Sequence, residues 1–199
     1  MAAGSLLFHL YTLFLFTKSD MKTLIPPVVR GVYILSSSSV ILWPTRPCLP
    51  SHWQTLFAAA TVPAHTISGL LHTVLWLWVH TLQLGLANQT LPYAFSEDLV
   101  NHPDRPLPAG RITIRQARTL RWMMIPLCFL LSATYGPRTL LTSFGVSLFV
   151  LAYNECGGAR SHWLVRNVLN AIGYALAEAG ATLVACTSFP SQIDRPGLS

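Results

Sequence analysis

Apolar stretches separated by short polar segments constrain this chain more than any other feature. A helix needs about 20 mostly apolar residues to cross a bilayer, and about five such stretches follow one another along the 199 residues. Hydrophobic residues make up 52% of the chain and charged residues only 10%, whereas soluble domains carry roughly a quarter charged residues. The sequence therefore predicts an all-α, multi-pass transmembrane helical bundle.

The apolar stretches predict membrane helices at about residues 23–43, 66–87, 120–135, 139–153 and 165–188. Residues 5–17 are apolar but too short to span, so they predict an interfacial helix ahead of the first membrane helix. A cleaved signal peptide is the alternative interpretation of this segment. It is disfavoured because no basic region precedes the apolar residues and no small-residue cleavage site follows them.

The net charge of +6 does not indicate a nucleic-acid-binding protein, because the cations lie between apolar stretches and not on a solvated face. Short cytoplasmic loops are enriched in Lys and Arg. The cation-rich segments predicted to share the cytosolic side contain Lys18 and Lys22, the arginines from Arg105 to Arg121, and Arg160 with Arg166. We therefore expect an endoplasmic reticulum or other endomembrane protein with these segments in the cytosol.

Two further patterns follow from this placement. Asn88-Gln89-Thr90 matches the glycosylation pattern, but on the cytosolic side it would carry no glycan. The four cysteines, Cys48, Cys128, Cys156 and Cys186, are far apart and predict neither a disulfide framework nor a zinc site. They are interpreted as small packing residues.

The polar segment EDLVNHPDRPLPAGR, residues 97–111, lies after the second predicted membrane helix. Glu97 and Asp98, with the amide of Asn88, provide oxygen ligands of the kind that Mg²⁺ prefers. Arg111, Arg115 and Arg118 recur at helical intervals and predict a basic stripe on a helix begun near Ile112. Together with Arg105, this stripe either binds the phosphates of a diphosphate ligand or binds anionic lipid headgroups.

A second polar cluster follows the fourth predicted membrane helix. Asn154 and Glu155 end that helix, and Arg166, Asn167 and Asn170 open the next. Polar residues inside a membrane are costly and tend to face a cavity, and Arg166 and Asn170 share a helical face. Arg166 is thus a further candidate phosphate ligand, while interhelical hydrogen bonding is the alternative role for the asparagines.

Histidines and aromatic residues in the apolar helices have less specific interpretations. His65, His72 and His80 are seven and eight residues apart with no carboxylate near them, so packing is favoured over metal binding. Trp76, Trp78 and Tyr174 either line a cavity, where their π faces would stabilise a cation, or pack in the bundle.

These residues resemble a known family. Asn88-Gln89, Glu97-Asp98 and NHPDRPLPAGR at 101–111 are similar to the first signature of the UbiA superfamily of intramembrane prenyltransferases, an Asn/Asp-rich run followed by N-x-P-x-R-P-(L/I)-P-S-G-R. With YNECGG and RNVLNAIGY further on, the pattern resembles a fungal branch associated with terpenoid and meroterpenoid secondary metabolism, which includes membrane-bound terpene cyclases.

The resemblance implies a helical fold around a cavity open to the cytosol. In such enzymes Mg²⁺ bound by acidic motifs holds a prenyl diphosphate and promotes loss of pyrophosphate, which gives an allylic cation. The cation then either cyclises, as in a terpene cyclase, or is transferred to an acceptor, as in a prenyltransferase. Membrane lipid is the other expected partner.

Two departures from the family pattern accompany the resemblance. Pro92 and Ser96 stand where the usual prenyltransferases have Asp, which favours the cyclase slightly. Family members have about nine membrane helices and a second Asp-rich motif, whereas the last twelve residues here contain only Asp194. Residues 1–199 are therefore expected to form a single, C-terminally incomplete UbiA-like domain, with an inactive relative or a non-catalytic lipid-binding protein as the alternatives.

Overall fold

The structure, a computed structural model, describes residues 2–42 and 67–187. Within these ranges it contains six α-helices, one 3-10 turn and no strand, which confirms the predicted all-α class. The predictions for Trp43, Cys48, His65, Ser188 and Asp194, and for the side chain of Cys186, lie outside the described residues. The elements are α1 (Ala2–Leu42), α2 (Ile67–Gln89), α3 (Pro92–Asn101), α4 (Ile114–Ala133), α5 (Pro137–Asn154), the 3-10 turn (Gly158–Arg160) and α6 (Trp163–Thr187).

The N-terminal region forms one helix where two were expected. α1 continues through KSDMK at 18–22 and includes Pro26 and Pro27. Lys and Met are good helix formers, so the polar segment does not end the helix. At 1.5 Å per residue, the 41 residues of α1 extend about 60 Å. The prediction of a separate interfacial helix at 5–17 is therefore wrong.

Two other helix starts need comment. α4 begins at Ile114, close to the helix expected near Ile112, and continues without a break into the membrane span predicted from about 120. Thr113 and Gln116 form a capping box at its start: the Thr113 hydroxyl accepts from the Gln116 backbone N–H, and the Gln116 side chain accepts from that of Thr113. α3 was not predicted at all. It begins at Pro92, where the missing N–H costs nothing, and it contains Glu97 and Asp98.

α2 is the central helix, and it packs against α1, α4, α5 and α6. Trp76, Leu77, Leu86 and Ala87 are fully buried along its length. A helix surrounded by neighbours is apolar on all faces, which explains why its sequence shows no polar stripe.

Hydrogen bonds between side chains fix the register of these helices. Trp76 Nε1 donates to Ser132 Oγ at 2.9 Å, and Gln83 Nε2 donates to Ser147 Oγ at 3.0 Å. His80 Nε2 lies 2.8 Å from Ser143 Oγ. Small polar residues are common in such positions between membrane helices. The pairs 80 with 143 and 83 with 147 show that α2 and α5 run parallel.

α5 and α6 are antiparallel and approach closely at glycines. A Cβ added to Gly173 would lie 2.7 Å from the Phe149 ring, and one added to Gly145 would lie 3.0 Å from Leu176. On α6, Gly180 receives the Trp76 ring in the same way, at 2.1 Å from an added Cβ. Glycine permits these approaches because it has no side chain.

Two of the described helices are long and apolar enough to cross a membrane, Ser68–Gln89 and Trp163–Ala185. They correspond to the second and fifth predicted spans. Large apolar side chains also remain exposed on the outer faces of α4 and α5, among them Leu130 and Leu141. Soluble monomers rarely expose contiguous apolar patches, so these faces fit contact with lipid.

The cysteines differ in environment. Cys128 is buried, as the packing interpretation requires, but Cys156 is exposed, so that interpretation is wrong for Cys156. Cys156 follows Glu155 at the end of α5, where the chain leaves the bundle.

Candidate functional site

A cavity of about 210 Å³ lies between α1, α2, α5 and α6. Because α5 is parallel to α2 and α6 is antiparallel to it, the last turns of α2 and α5 and the first turns of α6 meet at one end of this cavity. Asn88, Tyr153 and Asn170 line that end, whereas Leu77, Val146 and Ala177 line the opposite end. The first end is here called the polar end, and the opposite end, which is apolar apart from the His80 side chain, is called the apolar end.

Oxygen atoms without partners are present at the polar end. Asn88 Oδ1 is buried and has no hydrogen-bond partner. Asp20 of α1 also lines the cavity; it lies between Lys18 and Lys22, ahead of the predicted membrane span. Burial raises the pKa of the Asp20 carboxyl, and the charge of the Arg105 guanidinium opposes that shift. Sequence reasoning missed Asp20, because nothing in KSDMK connects it with the distant first motif.

Three aromatic residues line the cavity, Phe149, Tyr153 and Tyr174. Tyr174 was one of the candidates from the sequence. Trp76 is instead fully buried in the core, and Trp78 Nε1 donates to Thr17 Oγ1 at 3.2 Å. Both tryptophans thus have the packing role and neither lines the cavity.

The two acids of the first motif have different surroundings. Asp98 is 3% exposed, and Arg105 NH1 donates to its Oδ1 at 2.6 Å. Asp98 Oδ2 is buried without a partner. Glu97 is exposed on the other side of α3. Neither Asp98 nor Arg105 lines the cavity, but the charge of Arg105 acts on Asp20, which does.

The prolines and glycine of the motif form a compact turn between α3 and α4. The Arg111 N–H donates to the Pro106 carbonyl at 3.0 Å and the Gly110 N–H donates to the Leu107 carbonyl at 3.1 Å. Gly110 has a φ of +66°, a left-handed conformation that glycine adopts at no steric cost. This turn sets the direction in which the following arginines point.

The predicted basic stripe is not formed as one face. Arg111 precedes α4 and turns toward α1, where its Nε donates to Thr12 Oγ1 at 3.2 Å and its guanidinium lies 4.4 Å from the centre of the Phe8 ring. Arg115 and Arg118 are in the first turns of α4 and are exposed. The capping box starts the helix after Arg111, so only the latter two arginines have helical spacing.

Arg121 is the arginine that sequence reasoning did not assign to the site. It is 8% exposed, forms an ion pair with Glu155 and donates from NH1 to Thr90 Oγ1 at 3.3 Å. Arg121 follows Arg118 by three residues, and this helical spacing was the feature of the sequence that could have identified it. The Arg121–Glu155 pair connects the segment after α2 with the second polar cluster.

The structure separates the members of the second polar cluster. Asn154 is buried and its Nδ2 donates to the Val150 carbonyl at 2.9 Å. Asn170 lines the cavity. Arg166 and Asn167, in the first turn of α6, are exposed. Asn170 is therefore the member that the structure brings together with Asn88.

His72 and His80, the histidines of the second predicted membrane helix that the structure describes, have hydrogen-bond partners. His72 Nδ1 lies 2.7 Å from the Tyr135 hydroxyl. His80 Nδ1 lies 2.9 Å from the Trp76 carbonyl, which can only accept, so this nitrogen carries the proton and the other, near Ser143, accepts. Among the described residues, no three His, Cys, Asp or Glu side chains are grouped as a metal site. The packing interpretation of these two histidines agrees with these contacts.

Comparisons with known proteins give a consistent assignment. The sequence profile of the UbiA prenyltransferase family matches residues 47–195. Fumagillin beta-trans-bergamotene synthase of Aspergillus fumigatus is 31% identical over 156 residues, which cover 78% of this chain and 50% of that protein. Somaliensene A/B synthase of Streptomyces somaliensis is 33% identical over 141 residues, 65% of this chain and 45% of that protein.

A third relative, 4-hydroxybenzoate octaprenyltransferase of Citrobacter koseri, is 28% identical over 114 residues, 57% of this chain and 37% of that protein. The chain spans about half the length or less of these curated relatives. No solved structure gives a significant match. Because the family profile covers most of the chain, including the segment with Asn88, Asp98 and Arg105, the chain belongs to the UbiA prenyltransferase family.

Proposed function

We propose that this chain is part of a membrane-bound enzyme that removes pyrophosphate from a prenyl diphosphate and cyclises the resulting allylic cation. The observation that carries this proposal is the polarity of the cavity: Asp20, Asn88 and Asn170 provide oxygen atoms near one end, and the remainder is lined mostly by apolar residues and aromatic rings, with Thr23, His80 and Thr81 as its polar members. A prenyl diphosphate has the same polarity, with a charged head and a hydrocarbon tail.

Mg²⁺ is the proposed cofactor, and the residues at the polar end fit it. Asn88 Oδ1 and Asp98 Oδ2 are buried oxygen atoms without hydrogen-bond partners, and Asp20 adds a carboxylate. A hard cation bound by one or two carboxylates takes its remaining ligands from water and phosphate. Glu97 is the further candidate ligand from the sequence. When bound, the cation would neutralise charge that develops on the departing pyrophosphate.

Among the arginines, we assign different roles. Arg105 holds Asp98 through one carboxylate oxygen, which leaves the other oxygen for a ligand. Arg115, Arg118 and Arg166 are exposed and are the proposed phosphate ligands, because guanidinium groups bind phosphate oxygens bidentately. Arg111 is stacked on α1, so its proposed role is to hold the turn in place beside the diphosphate.

In the reaction, the bond between the allylic carbon and the diphosphate oxygen breaks, and its electron pair leaves with pyrophosphate. Phe149, Tyr153 and Tyr174 line the cavity, and their π faces would stabilise the carbon cation. Attack of a double bond of the chain on the cation closes the ring, and transfer of a proton to the departed pyrophosphate gives the neutral cyclic hydrocarbon. Two relatives are named as synthases of terpenes, which favours cyclisation.

Prenyl transfer is the second candidate, since another relative is named as an octaprenyltransferase. The test is to incubate membranes containing the chain with farnesyl or geranylgeranyl diphosphate and Mg²⁺, with and without an aromatic acceptor. Pyrophosphate and a cyclic hydrocarbon are expected without an acceptor. A prenylated acceptor alone would favour the transferase.

Controls separate the proposal from its alternatives. Asn88→Leu removes an oxygen at the polar end and should abolish pyrophosphate release, whereas Leu141→Ala, on the exposed face of α5, should not. No product from this chain, or from any longer product of the same locus, would contradict the proposal. Vesicle binding that depends on Arg115 and Arg118 without turnover would instead support a non-catalytic protein that binds anionic lipid.

The proposed location is an endomembrane, with the polar end of the cavity facing the cytosol. Cys156 is exposed beside this end, so a membrane-impermeant maleimide should label it in sealed microsomes without detergent. Cys156→Ser should lose that labelling. Labelling of Cys156 only after detergent treatment would reverse the orientation.

A further inference from the structure

The outer end of the Phe149 ring lies against α6 at Gly173. A Cβ added to Gly173 would be 2.7, 2.8 and 3.0 Å from three carbons of that ring. Real Cβ atoms do not approach so closely, so the ring occupies the space where any other residue would have a side chain. Both residues also line the cavity.

Their position divides the cavity between its two ends. Phe149 is one turn before Tyr153 on α5, and Gly173 is about one turn beyond Asn170 on α6, so both lie just inside the polar end. Val146 and Ala177, one turn further along each helix, line the apolar end. A chain whose charged head is held at the polar end must therefore pass the Phe149 ring to reach the apolar end.

The volume of the cavity makes the position of this ring important. An apolar cavity of about 150 Å³ holds one benzene molecule, and this cavity is about 210 Å³. It therefore holds a group somewhat larger than benzene, and a longer prenyl tail must fold or displace its walls. A shift of one aromatic ring changes the available space by a large fraction.

We propose that Phe149, seated on Gly173, determines the length and folding of the prenyl chain that the cavity accepts. This inference rests on the proposed function and names the residues that select its substrate. With glycine at 173 the ring lies back against α6 and the passage is open. A methyl group at 173 pushes the ring into the passage, and loss of the ring widens it.

Trp76 and Gly180 provide an internal comparison. They make the same kind of contact, with a Trp76 ring atom 2.1 Å from a Cβ added at Gly180. Trp76 is completely buried and does not line the cavity, so this contact only packs α2 against α6. The Phe149–Gly173 contact differs because one side of the ring faces space that a ligand can enter.

The test measures binding by geranyl, farnesyl and geranylgeranyl thiolodiphosphates, which are not turned over, through thermal stabilisation of the detergent-solubilised chain with Mg²⁺. Phe149→Ala should shift the ratio of affinities toward the geranylgeranyl analogue by about tenfold, the discrimination typical of an apolar pocket. Gly173→Ala should shift the ratio toward the geranyl analogue. Phe144→Ala, on the exposed face of α5, is the matched control and should leave the ratios unchanged.

The outcomes of this test are distinct from those of the turnover assay. Should Gly173→Ala fail to fold, the double variant with Phe149→Leu removes the clash and should bind the longer analogues. Equal ratios in the wild-type chain and in Phe149→Ala overturn the inference even if the chain releases pyrophosphate. Chain-length selection that changes in Phe149→Ala without any turnover would support the inference and count against the proposed reaction.

Discussion

The two ends of the bundle differ in how many of their buried polar groups have hydrogen-bond partners. Near the middle and the far end of α2, Trp76 and His80 have hydrogen-bond partners on neighbouring helices, while Gln83 Oε1 and Thr139 Oγ1 are buried there without partners. At the end where α2 stops, Asn88 Oδ1, Gln89 Oε1 and Asp98 Oδ2 are buried without partners. An unpaired buried polar group costs about 1–3 kcal/mol. The end where α2 stops thus has the larger number of such atoms, and a ligand is the proposed partner of Asn88 and Asp98.

Substitution of Trp76, which is hydrogen-bonded in the middle of α2, should give the largest loss of stability. Trp76→Ala empties the space between α2 and α6 and leaves Ser132 without its donor, so the free energy of unfolding should fall by about 3–5 kcal/mol. Unfolding in mixed detergent micelles measures this. Trp122→Ala, at a tryptophan that is 54% exposed, is the control, and an equal loss in both variants would contradict the comparison.

Arg121 should give an intermediate effect, because it connects the two polar segments. Arg121→Met removes a buried guanidinium that pairs with Glu155 and Thr90, and hydrogen bonds to charged groups contribute about 1.5–3 kcal/mol. Arg115→Met, at an exposed position, should change stability by less than about 0.5 kcal/mol and should instead weaken diphosphate binding. The reverse pattern would exchange the structural and ligand-binding roles of these two arginines.

Asp20 should give the smallest effect, with the opposite sign. Because burial raises the pKa of Asp20 in the folded chain, ionisation opposes folding, and stability falls as the pH rises from the unfolded to the folded pKa. Asp20→Asn removes this cost, so the variant should melt slightly higher than the wild type at neutral pH. The gain should vanish at pH values below the pKa of an unfolded Asp.

The rate of pyrophosphate release is the second measurement for Asp20. The more stable Asp20→Asn variant should release pyrophosphate more slowly if the carboxylate serves a ligand. A variant that is both less stable and fully active would show that Asp20 has a structural role and does not bind a ligand.

The fold class and the order of the long helices followed from the apolar stretches, because a membrane span needs a fixed length of apolar sequence. The predicted starts of helices were wrong where local hydrogen bonds or helix propensity determined the boundary. Thr113 and Gln116 form a capping box that starts α4 between Arg111 and Arg115. A polar KSDMK segment was read as a break, although lysine and methionine favour helix.

The sequence predicted the residue types of the candidate site better than it predicted their arrangement. The motif around Asn88 and Asp98 was identified by its sequence, and the structure puts Asn88 and Asn170 on one cavity. Asp20 and Arg121 were missed because their importance depends on contacts between helices distant in sequence. Spacing along one helix also could not show that Arg111 turns away toward α1.

The continuity of α1 has a practical consequence for work with this protein. Thr12 and Phe8 hold Arg111, and the Phe16 carbonyl accepts from Gln89 Nε2 at 3.0 Å. Removal of the first seventeen residues, as if they were a leader, would free both the turn after α3 and the end of α2. An N-terminal affinity tag should therefore be attached through a flexible linker, and trimming should stop before Phe8.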